Sequence, residues 1–518
     1  MDVRSGWKDT CRIIFGQELG ELEEFRHYLL DYHYPCVKKK STLSGKEVSI
    51  SGDRYCKGAR VISQDEVDFE KKYAPFSIND LKDIDSVLEA LSDRFIYTGN
   101  KVFGESRAAE EVDNCDDSFY VLDSHTVIAS KYVAYSSFVR EQCSFVYGSI
   151  GAMQSSYLIR GSGAYDTRSF ESLLNMNCSD MFFTYNCSGC MQCLFCFNLR
   201  SKRHAIGNLE LPKDKYFALR KKLVDDVAEI LKKDKQFHSI YDFGPLKKEE
   251  MAAIRMPRFA KEMAESNRLS DAFAKTCRLI LGSEIGKVKN QSKFLSVHAP
   301  LTRNIKSAFG NECGYSEYFH GKNIHRDRLI SAQEALVAAQ KHAEIDEMDG
   351  VEELLEKTSS IAFFTVEKDE GDNRDNLETP TEYHARDCYK VAVSTFSQRS
   401  AYCAHLHRCD AIFGSGMLMA DCSFDIRCHN CFKVSCSMDM DSCANCARSM
   451  FCHNCENVND SLFCFNTKNK TYAVGNVEVG RENYLRIRKS VVEEILKRLG
   501  KDGTIEIDVC DIGCYRKK

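Results

Sequence analysis

A period of twelve residues in the cysteine-rich part of the chain constrains the fold more strongly than any other feature of the sequence. The stretch 428–464 contains eight cysteines and can be written in rows of twelve. Three columns of these rows repeat one residue type or a close substitute: Cys428, Met440, Cys452 and Cys464; Cys431, Cys443 and Cys455; and Ser437, Ser449 and Ser461. A short fixed period with apolar and small polar residues in separate columns is typical of a β-solenoid.

The earlier half of the chain repeats this pattern more loosely. A serine followed closely by an aromatic residue recurs every 12–14 residues, at Ser118, Ser130, Ser144, Ser156 and Ser169. Coils of a solenoid stack about 4.8 Å apart, so equivalent side chains form ladders, and cysteine suits a ladder because it is small and readily buried. The period is compatible with a coil of twelve residues, with half of a coil of about 24 residues, or with antiparallel hairpins.

Two long segments of the chain occur twice, in the same order. The sequence TCRIIFGQELG (Thr10–Gly20) returns in the second half as TCRLILGSEIG (Thr276–Gly286). LFCFNLRSKRHAIGNLEL at Leu194 returns as LFCFNTKNKTYAVGNVEV at Leu462, displaced along the chain by nearly the same interval. This pattern predicts a tandem duplication, and a pseudo-twofold axis would relate the two copies of the module.

The predicted fold class is α+β, with each copy built around a Cys/Ser-rich β-solenoid of about twelve-residue period and flanked by helices. Apolar residues at helical spacing predict a helix over 212–235 and its counterpart over 480–500. The predicted division is a mixed α/β segment at 1–110, a solenoid with capping helix at 111–235, a helical linker at 236–273, a second mixed segment at 274–380, a second solenoid with capping helix at 381–503, and a tail at 504–518.

Composition and charge restrict the classes of function. The 518 residues carry a formal charge of −5 and contain 43% hydrophobic residues, so neither a nucleic acid nor a membrane is expected as a partner. The start of the sequence lacks the apolar core that signal peptides have. We therefore expect a cytoplasmic or virion-associated protein whose 26 cysteines are mostly reduced.

The closing part of each copy resembles a known type of repeat protein. The segment CSGCMQCLFCFNLRSKRHAIGNLELPKDKYFALRKKL (Cys187–Leu223) is similar to the end of a family of cysteine-rich repeat proteins predicted from environmental microbial and phage genomes. The resemblance extends over about 115–225 and 388–490, through the Cys/Ser repeats, the Phe-x-Asn turn and the Asn…Tyr helix start. It implies the solenoid fold and no particular activity. This chain lacks the zinc-ribbon-like cysteine pairs of the family's upstream part.

One group of four cysteines has a spacing close to that of an iron–sulfur protein. Cys187, Cys190, Cys193 and Cys196 form C-x2-C-x2-C-x2-C. The bacterial ferredoxin pattern has a final gap of three residues and a following proline, whereas Phe197 follows here. We keep this quartet as a candidate metal site, with buried reduced thiols as the simpler interpretation.

A second group of four cysteines has the spacing of a structural zinc site. Cys443 and Cys446 form one C-x2-C pair, and Cys452 and Cys455 form another on the next row. Stacked rows could bring the four thiolates together around one zinc ion. Disulfides and reduced ladder cysteines are the alternatives, and we favour the reduced ladder, which needs no cofactor.

The sequence contains no catalytic motif in a suitable context, so no catalytic residue is assigned. We expect a non-enzymatic structural or interaction protein that presents solenoid surfaces to protein partners or to copies of itself, within a larger assembly or a virion. The alternatives are a zinc-stabilised regulatory or binding module, and an enzyme acting on a glycan or nucleotide-linked substrate in the groove between the copies. Carboxylates or histidines lining that groove in only one copy would favour the enzyme.

Overall fold

The computed structural model shows a mixed α/β protein with a long parallel sheet of short strands, which confirms the broad class predicted from the sequence. The structure describes residues 2–34, 36–52, 54–246, 251, 254–259, 267–318, 321–346, 348–404, 411, 413–414, 426–428, 437–440 and 450–516. Within these residues, no helix has both the length and the apolar character needed to cross a membrane.

Helices flank the strands in both halves, and two of them lie where the sequence predicted helices over 212–235 and 480–500. The helices are α1 (Val3–Phe15), α2 (Arg26–Leu30), α3 (Ile84–Ala90), α4 (Lys213–Asp234), α5 (Asn267–Leu281), α6 (Ser292–Leu295), α7 (Ala332–Ala338), α8 (Val351–Thr358) and α9 (Arg481–Asp502). The prediction of a helical linker over 236–273 falls partly outside the described residues and stays a prediction. Residues 236–246 contain no helix, and α5 begins at Asn267.

Most strands of the first half are only two to four residues long. They are β1 (Val37–Lys40), β2 (Glu47–Ile50), β3 (Val61–Ser63), β4 (Tyr97–Gly99), β5 (Val102–Phe103), β6 (Arg107–Glu110), β7 (Asp113–Asp116), β8 (Phe119–Leu122), β9 (His125–Ile128), β10 (Lys131–Ala134), β11 (Ser137–Val139), β12 (Ser144–Tyr147), β13 (Ala152–Met153), β14 (Ser156–Ala164), β15 (Thr167–Met176), β16 (Ser179–Tyr185), β17 (Met191–Leu194), β18 (Arg203–Ile206) and β19 (Leu209–Glu210).

The described strands of the second half are shorter still in its middle part. They are β20 (Thr302–Lys306), β21 (Glu312–Ser316), β22 (Lys368–Glu370), β23 (Thr381–Tyr383), β24 (Val393–Thr395), β25 (Arg427–Cys428), β26 (Asp439–Met440), β27 (His453–Asn459), β28 (Phe465–Thr471), β29 (Ala473–Val474) and β30 (Val477–Glu478).

The long sheet places strands one row apart side by side. Its path runs β6-β8-β10-β12-β14-β15-β16-β17-β18, all parallel, and ends on the antiparallel β19. Phe119 pairs with Lys131 and Ser179 pairs with Met191, each twelve residues apart. A shorter parallel sheet, β11-β9-β7-β5, takes the alternate strands. The described rows therefore exclude the antiparallel hairpins and favour a twelve-residue repeat over one of about 24 residues.

Serine and cysteine replace one another at one position of successive rows in the long sheet, and their hydrogen bonds explain why. Ser118 Oγ donates to the carbonyl of Asp116 (2.8 Å) and accepts the N–H of Ser130 (3.1 Å), twelve residues further on. Cys190 Sγ accepts the N–H of Lys202 in the same way (3.4 Å). The column reads Ser118, Ser130, Cys143, Ser155, Asp166, Cys178 and Cys190. A small side chain with an acceptor atom accepts a hydrogen bond from a backbone N–H that has no partner in the hydrogen bonds between the strands.

This column predicts a position-dependent cost of replacing cysteine by valine. Cys190→Val removes the acceptor for the Lys202 N–H and is expected to cost about 1–3 kcal/mol of unfolding free energy. Cys193→Val is the matched control, because Cys193 Sγ lies against two carbonyl oxygens, at 3.6 and 3.8 Å, and accepts no backbone N–H in the described part of the chain. Chemical denaturation and hydrogen exchange at the Lys202 amide measure the difference. Equal losses in both variants would contradict this role for the column.

The backbone changes direction at every third residue of the early rows. The left-handed positions, with φ between 40° and 60°, are Ala108, Glu111, Asn114, Asp117, Tyr120, Asp123, Thr126, Ala129, Tyr132, Tyr135 and Phe138. This conformation costs a non-glycine residue about 1–2 kcal/mol, so the surrounding ladder must impose it. Four such changes in each row bring the chain back beside itself within twelve residues.

The two halves of the chain exchange segments. Residues 48–97 of the first half share a hydrophobic core with β28 and α9 of the second half. The Phe95 and Tyr97 rings lie 5.0 and 5.6 Å from the Phe465 ring. In the opposite direction, residues 302–366 of the second half pack into the core of the first half.

One hydrogen bond between the halves has a counterpart in the opposite direction. Asn198 donates to the carbonyl of Phe363 (2.9 Å), and Asn466, the equivalent residue of the second copy, donates to the carbonyl of Ile96 (2.7 Å). Such matched contacts are what two equivalent modules produce when each covers the other. The junction between the halves is therefore part of the hydrophobic core. A site near this junction depends on residues of both halves for its position.

Candidate functional site

Three side chains of the second half bring a nitrogen, an oxygen and a sulfur atom together. The ligand atoms of His298, Asp508 and Cys510 all lie within 4.8 Å of one another. His298 Nε2 is 3.2 Å from Asp508 Oδ2. Cys510 and Asp508 are buried, and 15% of the His298 side chain is exposed. Among the described residues, this is the group whose geometry suits a metal ion.

Helix ends place the three residues. His298 follows the short helix α6, whose Phe294 and Leu295 are buried and anchor it to the core. Helix α9 stops at Gly503, whose left-handed φ of 68° turns the chain back toward the sheet. The returning segment carries Asp508 and Cys510.

Hydrogen bonds orient the carboxylate toward the histidine. Asp508 Oδ1 accepts the N–H groups of Cys510 (2.7 Å) and Asp511 (3.0 Å), which leaves Oδ2 directed at His298. The carbonyl of Cys510 accepts the Tyr97 hydroxyl (2.9 Å) and the N–H of Cys56 (3.1 Å). The segment is thus held by residues of the first half.

A disulfide bond holds the same segment in place, and no spacing pattern of the cysteines predicts it. Cys56 and Cys514 are 458 residues apart in sequence and are joined by a disulfide bond. It links the exchanged segment 48–97 to the end of the chain, just beyond Cys510. Elsewhere in the described chain, cysteines such as Cys11, Cys190 and Cys464 are buried thiols.

The donor set is that of a zinc ion rather than of a harder cation. Zinc binds imidazole nitrogen, thiolate sulfur and carboxylate oxygen in tetrahedral sites, so these residues would supply three of the four ligands that such an ion needs. A nucleophilic cysteine with histidine and aspartate is the other chemistry that such residues perform. Burial of Cys510 disfavours it, because a reactive thiolate needs access to substrate.

The corresponding place in the first half has different chemistry. Ile240 donates its N–H to Glu171 (2.8 Å) just as Val509 donates to Asp439 (3.1 Å), which aligns the two returning segments. In this alignment Ser239 stands where Asp508 stands, and its hydroxyl is 2.8 Å from that of Tyr32. The metal-type ligands are therefore special to the second half.

The structure places the predicted cysteine quartet along the buried interior. The Cys190 thiol forms hydrogen bonds with the thiols of Cys178, Cys187 and Cys193, and burial raises the pKa of Cys187 well above its ordinary value. No three sulfur atoms of Cys187, Cys190, Cys193 and Cys196, all of them described, lie within 4.8 Å of one another. Metal binding at the quartet stays a prediction.

The predicted zinc pairs fall partly outside the described residues. Cys443 and Cys446 lie outside them, whereas Cys452 and Cys455 are buried, and Cys455 Sγ contacts the carbonyl of His453 at 3.2 Å. This site also stays a prediction. Sequence reasoning missed His298, Asp508 and Cys510 because the histidine lies far from the other two along the chain and no spacing motif connects them.

Exposed apolar residues recur at matching positions of the two halves. Ile13 on α1 and Phe217 on α4 are 42% and 38% exposed. Their counterparts at the equivalent positions of the second copy, Leu279 on α5 and Leu485 on α9, are 61% and 44% exposed. Leu279 and Leu485 line one groove of about 410 Å³. We call Ile13 with Phe217 the first patch, and Leu279 with Leu485 the second patch.

Comparison of the chain with models of known protein families, with curated proteins and with solved structures finds no match.

The junction between the halves also buries two titratable side chains. Lys368 of the second half donates to the carbonyl of Leu174 (2.7 Å), and burial lowers its pKa to about 8. Asp166 accepts the N–H of Cys178 (2.8 Å), and burial raises its pKa to about 7. The unfolded chain would ionise this carboxyl near its ordinary value of 3.8.

Asp166 is therefore expected to make stability depend on pH. Between about pH 4 and 7 the folded state keeps a proton that the unfolded state has released, so the free energy of unfolding falls as pH rises. Asp166→Asn keeps an acceptor for the Cys178 N–H and removes the titration. The stability of the variant relative to the natural chain should rise by up to about 4 kcal/mol from pH 4 to 7.5. Denaturant unfolding at both pH values tests this, and a constant difference would contradict it.

Proposed function

We propose that this chain is a non-enzymatic assembly protein, made of two copies of a solenoid module, in which each copy carries one docking patch. The observation that carries the proposal is the recurrence of exposed apolar residues at the same positions of both copies, in the first and second patches. Clustered exposed apolar side chains mark interaction surfaces, and the groove shared by Leu279 and Leu485 makes the second patch such a cluster. The first patch is proposed by the equivalence of its positions.

The solenoid architecture is supported by three features of the described rows. Parallel partners lie twelve residues apart, strands alternate between two sheets, and the backbone turns at every third residue. Side chains of successive rows also stack: the rings of Tyr120, Tyr132, Phe145 and Tyr157 follow one another at 5.0, 4.7 and 4.8 Å. This spacing is that of neighbouring strands.

The proposed partner of each patch is the same patch of a second copy of the chain. The groove of the second patch contains Arg481 and Arg488 together with Asp460, so it offers charges of both signs beside its leucines. A surface with both signs can complement itself across a twofold contact. Because each chain has two patches, such contacts would join chains into assemblies larger than dimers.

Sedimentation velocity of the purified chain over a wide concentration range tests the proposal. Leu279→Glu with Leu485→Glu should restrict assembly to dimers through the first patch, with association at the second patch weakened by at least about 100-fold. Adding Ile13→Glu and Phe217→Glu should leave monomers. Leu43→Glu is the control, because Leu43 is 66% exposed outside both patches. A natural chain that stays monomeric at high concentration would overturn the proposal.

A zinc-stabilised module is the second candidate, favoured by the geometry of His298, Asp508 and Cys510. Metal analysis of protein purified under reducing conditions should find one zinc ion per chain. His298→Gln and Cys510→Ser should each abolish it and lower the melting temperature, whereas Cys190→Ser should retain it. Zinc that persists in the first two variants would direct the search to Cys452 and Cys455, and absence of zinc from the natural chain would reject this candidate.

The space between the halves meets only part of the expectation for the enzyme alternative. The described residues that line the cavity there include His384 but no carboxylate, whereas glycoside hydrolysis needs a carboxylate pair.

A further inference from the structure

A buried cluster of sulfur atoms lies in the last rows of the first half. Its sulfur-containing residues are Cys178, Met181, Cys187, Cys190, Cys193 and Cys196, and each of them is at most 3% exposed. The Cys190 thiol interacts with the thiols of Cys178, Cys187 and Cys193. Thiolate and thioether sulfur atoms are soft ligands, and they select soft metal ions such as Cu(I).

Backbone hydrogen bonds distinguish the cysteines of this cluster. Cys178 Sγ accepts the N–H of Cys190, and Cys190 Sγ accepts the N–H of Lys202, both at 3.4 Å. Cys196 Sγ also accepts an N–H (3.4 Å), but its neighbour Cys193 accepts none in the described part of the chain. An accepted N–H stabilises the thiolate, which is the form of cysteine that binds metal ions. Cys178 and Cys190 are therefore a neighbouring pair in which both thiolates are stabilised.

A buried cation lies beside Cys178. Lys368 is 3% exposed, and its ammonium group interacts electrostatically with Cys178. The other charged groups around this ammonium are Asp166, Glu370 and Arg200. A Cu(I) ion bound by two thiolates has a net charge of −1, and a positive charge nearby favours that state. Asp166 opposes the ammonium only in part, because burial raises its pKa to about 7 and it keeps a proton below that pH.

We propose that Cys178 and Cys190 bind one Cu(I) ion between their two sulfur atoms, and that both thiols release their protons to the solvent. Zinc requires a tetrahedral set of four ligands, whereas no three of the five cysteines in this cluster, all of them described, have sulfur atoms within 4.8 Å of one another. Cu(I) binds two thiolates in a linear arrangement, for which one neighbouring pair is sufficient. This proposal does not rest on the docking patches.

Metal analysis of the full chain, expressed with added copper and purified without oxygen, tests the proposal. One copper ion per chain should remain after a challenge with the Cu(I) chelator bathocuproine disulfonate. Cys178→Ser and Cys190→Ser should each lose this ion, whereas Cys193→Ser, the matched control from the same cluster, should retain it. Serine occupies both columns in earlier rows, at Ser155 and Ser169, so the three variants keep residue types that the rows already accept.

Copper retained by Cys178→Ser and Cys190→Ser, or lost from Cys193→Ser as well, would overturn the assignment of the pair. Absence of copper from the natural chain would reject the proposal. X-ray absorption at the copper edge needs no variant and should show two sulfur ligands and no nitrogen. A nitrogen ligand would place the ion at a histidine such as His298, and three or more sulfur ligands would overturn the two-coordinate site.

Discussion

Expressed separately, residues 1–246 and 267–518 are each expected to remain unfolded, whereas together they should form a stable one-to-one complex. The reason is the exchange of segments. In the absence of the second half, Leu91, Phe95 and Tyr97 would lose the surface they pack against around Phe465 and Gly475. Burying a large apolar side chain is worth about 1.5–3 kcal/mol, and a whole domain is stable by only about 5–15 kcal/mol.

The second half has the same dependence on the first. The Phe364 ring lies 4.8 Å from the ring of Tyr185 and 5.8 Å from that of Phe197, so separation exposes it as well. Circular dichroism and size-exclusion chromatography with light scattering measure the outcome. A protease site inserted between residues 247 and 250 of the intact protein is the control, because the nicked halves should stay associated. Cooperative unfolding of either isolated half near the melting temperature of the whole would show that the exchange does not stabilise it.

Arg160→Met is expected to cost about 3–5 kcal/mol of unfolding free energy, because it leaves a buried carboxylate without its cation. Arg160 Nε donates to Glu171 Oε2 at 2.7 Å, and both side chains are completely buried. The guanidinium also lies 4.0 Å from the Tyr28 ring centroid and 3.9 Å from that of Tyr32. Burial raises the pKa of Glu171, so the loss should be smaller in acid, where the carboxyl can be protonated.

Two further variants separate charge from packing. Arg168→Met removes a comparable ion pair with Asp180, but 43% of the Arg168 side chain is exposed, and we expect a loss below about 1 kcal/mol. Arg160→Met combined with Glu171→Leu should recover part of the stability, because no isolated charge remains. Denaturant unfolding of the four proteins compares them. If Arg160→Met costs no more than Arg168→Met, the buried pair has no special role.

The twelve-residue rows could be predicted from the sequence because their pattern is local and repeats. The recurrence of serine and cysteine at twelve-residue spacing predicted stacked rows and left parallel and antiparallel pairing open. Ser118 and Cys190 show why these residues recur, since each accepts a backbone N–H from the next row. The helices α4 and α9 were predictable because their apolar residues recur at helical spacing. The left-handed backbone at positions such as Tyr120 and Tyr132 was not, because residues with bulky side chains seldom adopt it.

The cluster of His298, Asp508 and Cys510 could not be predicted in this way. Nothing near His298 in the sequence points to Asp508 or Cys510, and neither residue belongs to the cysteine groups that have metal-ligand spacing. The three residues meet because α9 ends at Gly503 and the returning segment docks on Tyr97 of the other half.

The sequence by itself determined the repeat length, the residue types allowed in each interior column and the equivalence of the two halves. These properties are local or periodic, since every row presents the next with the same backbone groups and the same limited space. Only the tertiary structure decided which half covers which, and with it the disulfide, the cavity between the halves and the site at His298. Those depend on contacts between residues far apart in the sequence, which arise when two apolar surfaces are buried against each other and leave no periodic trace along the chain.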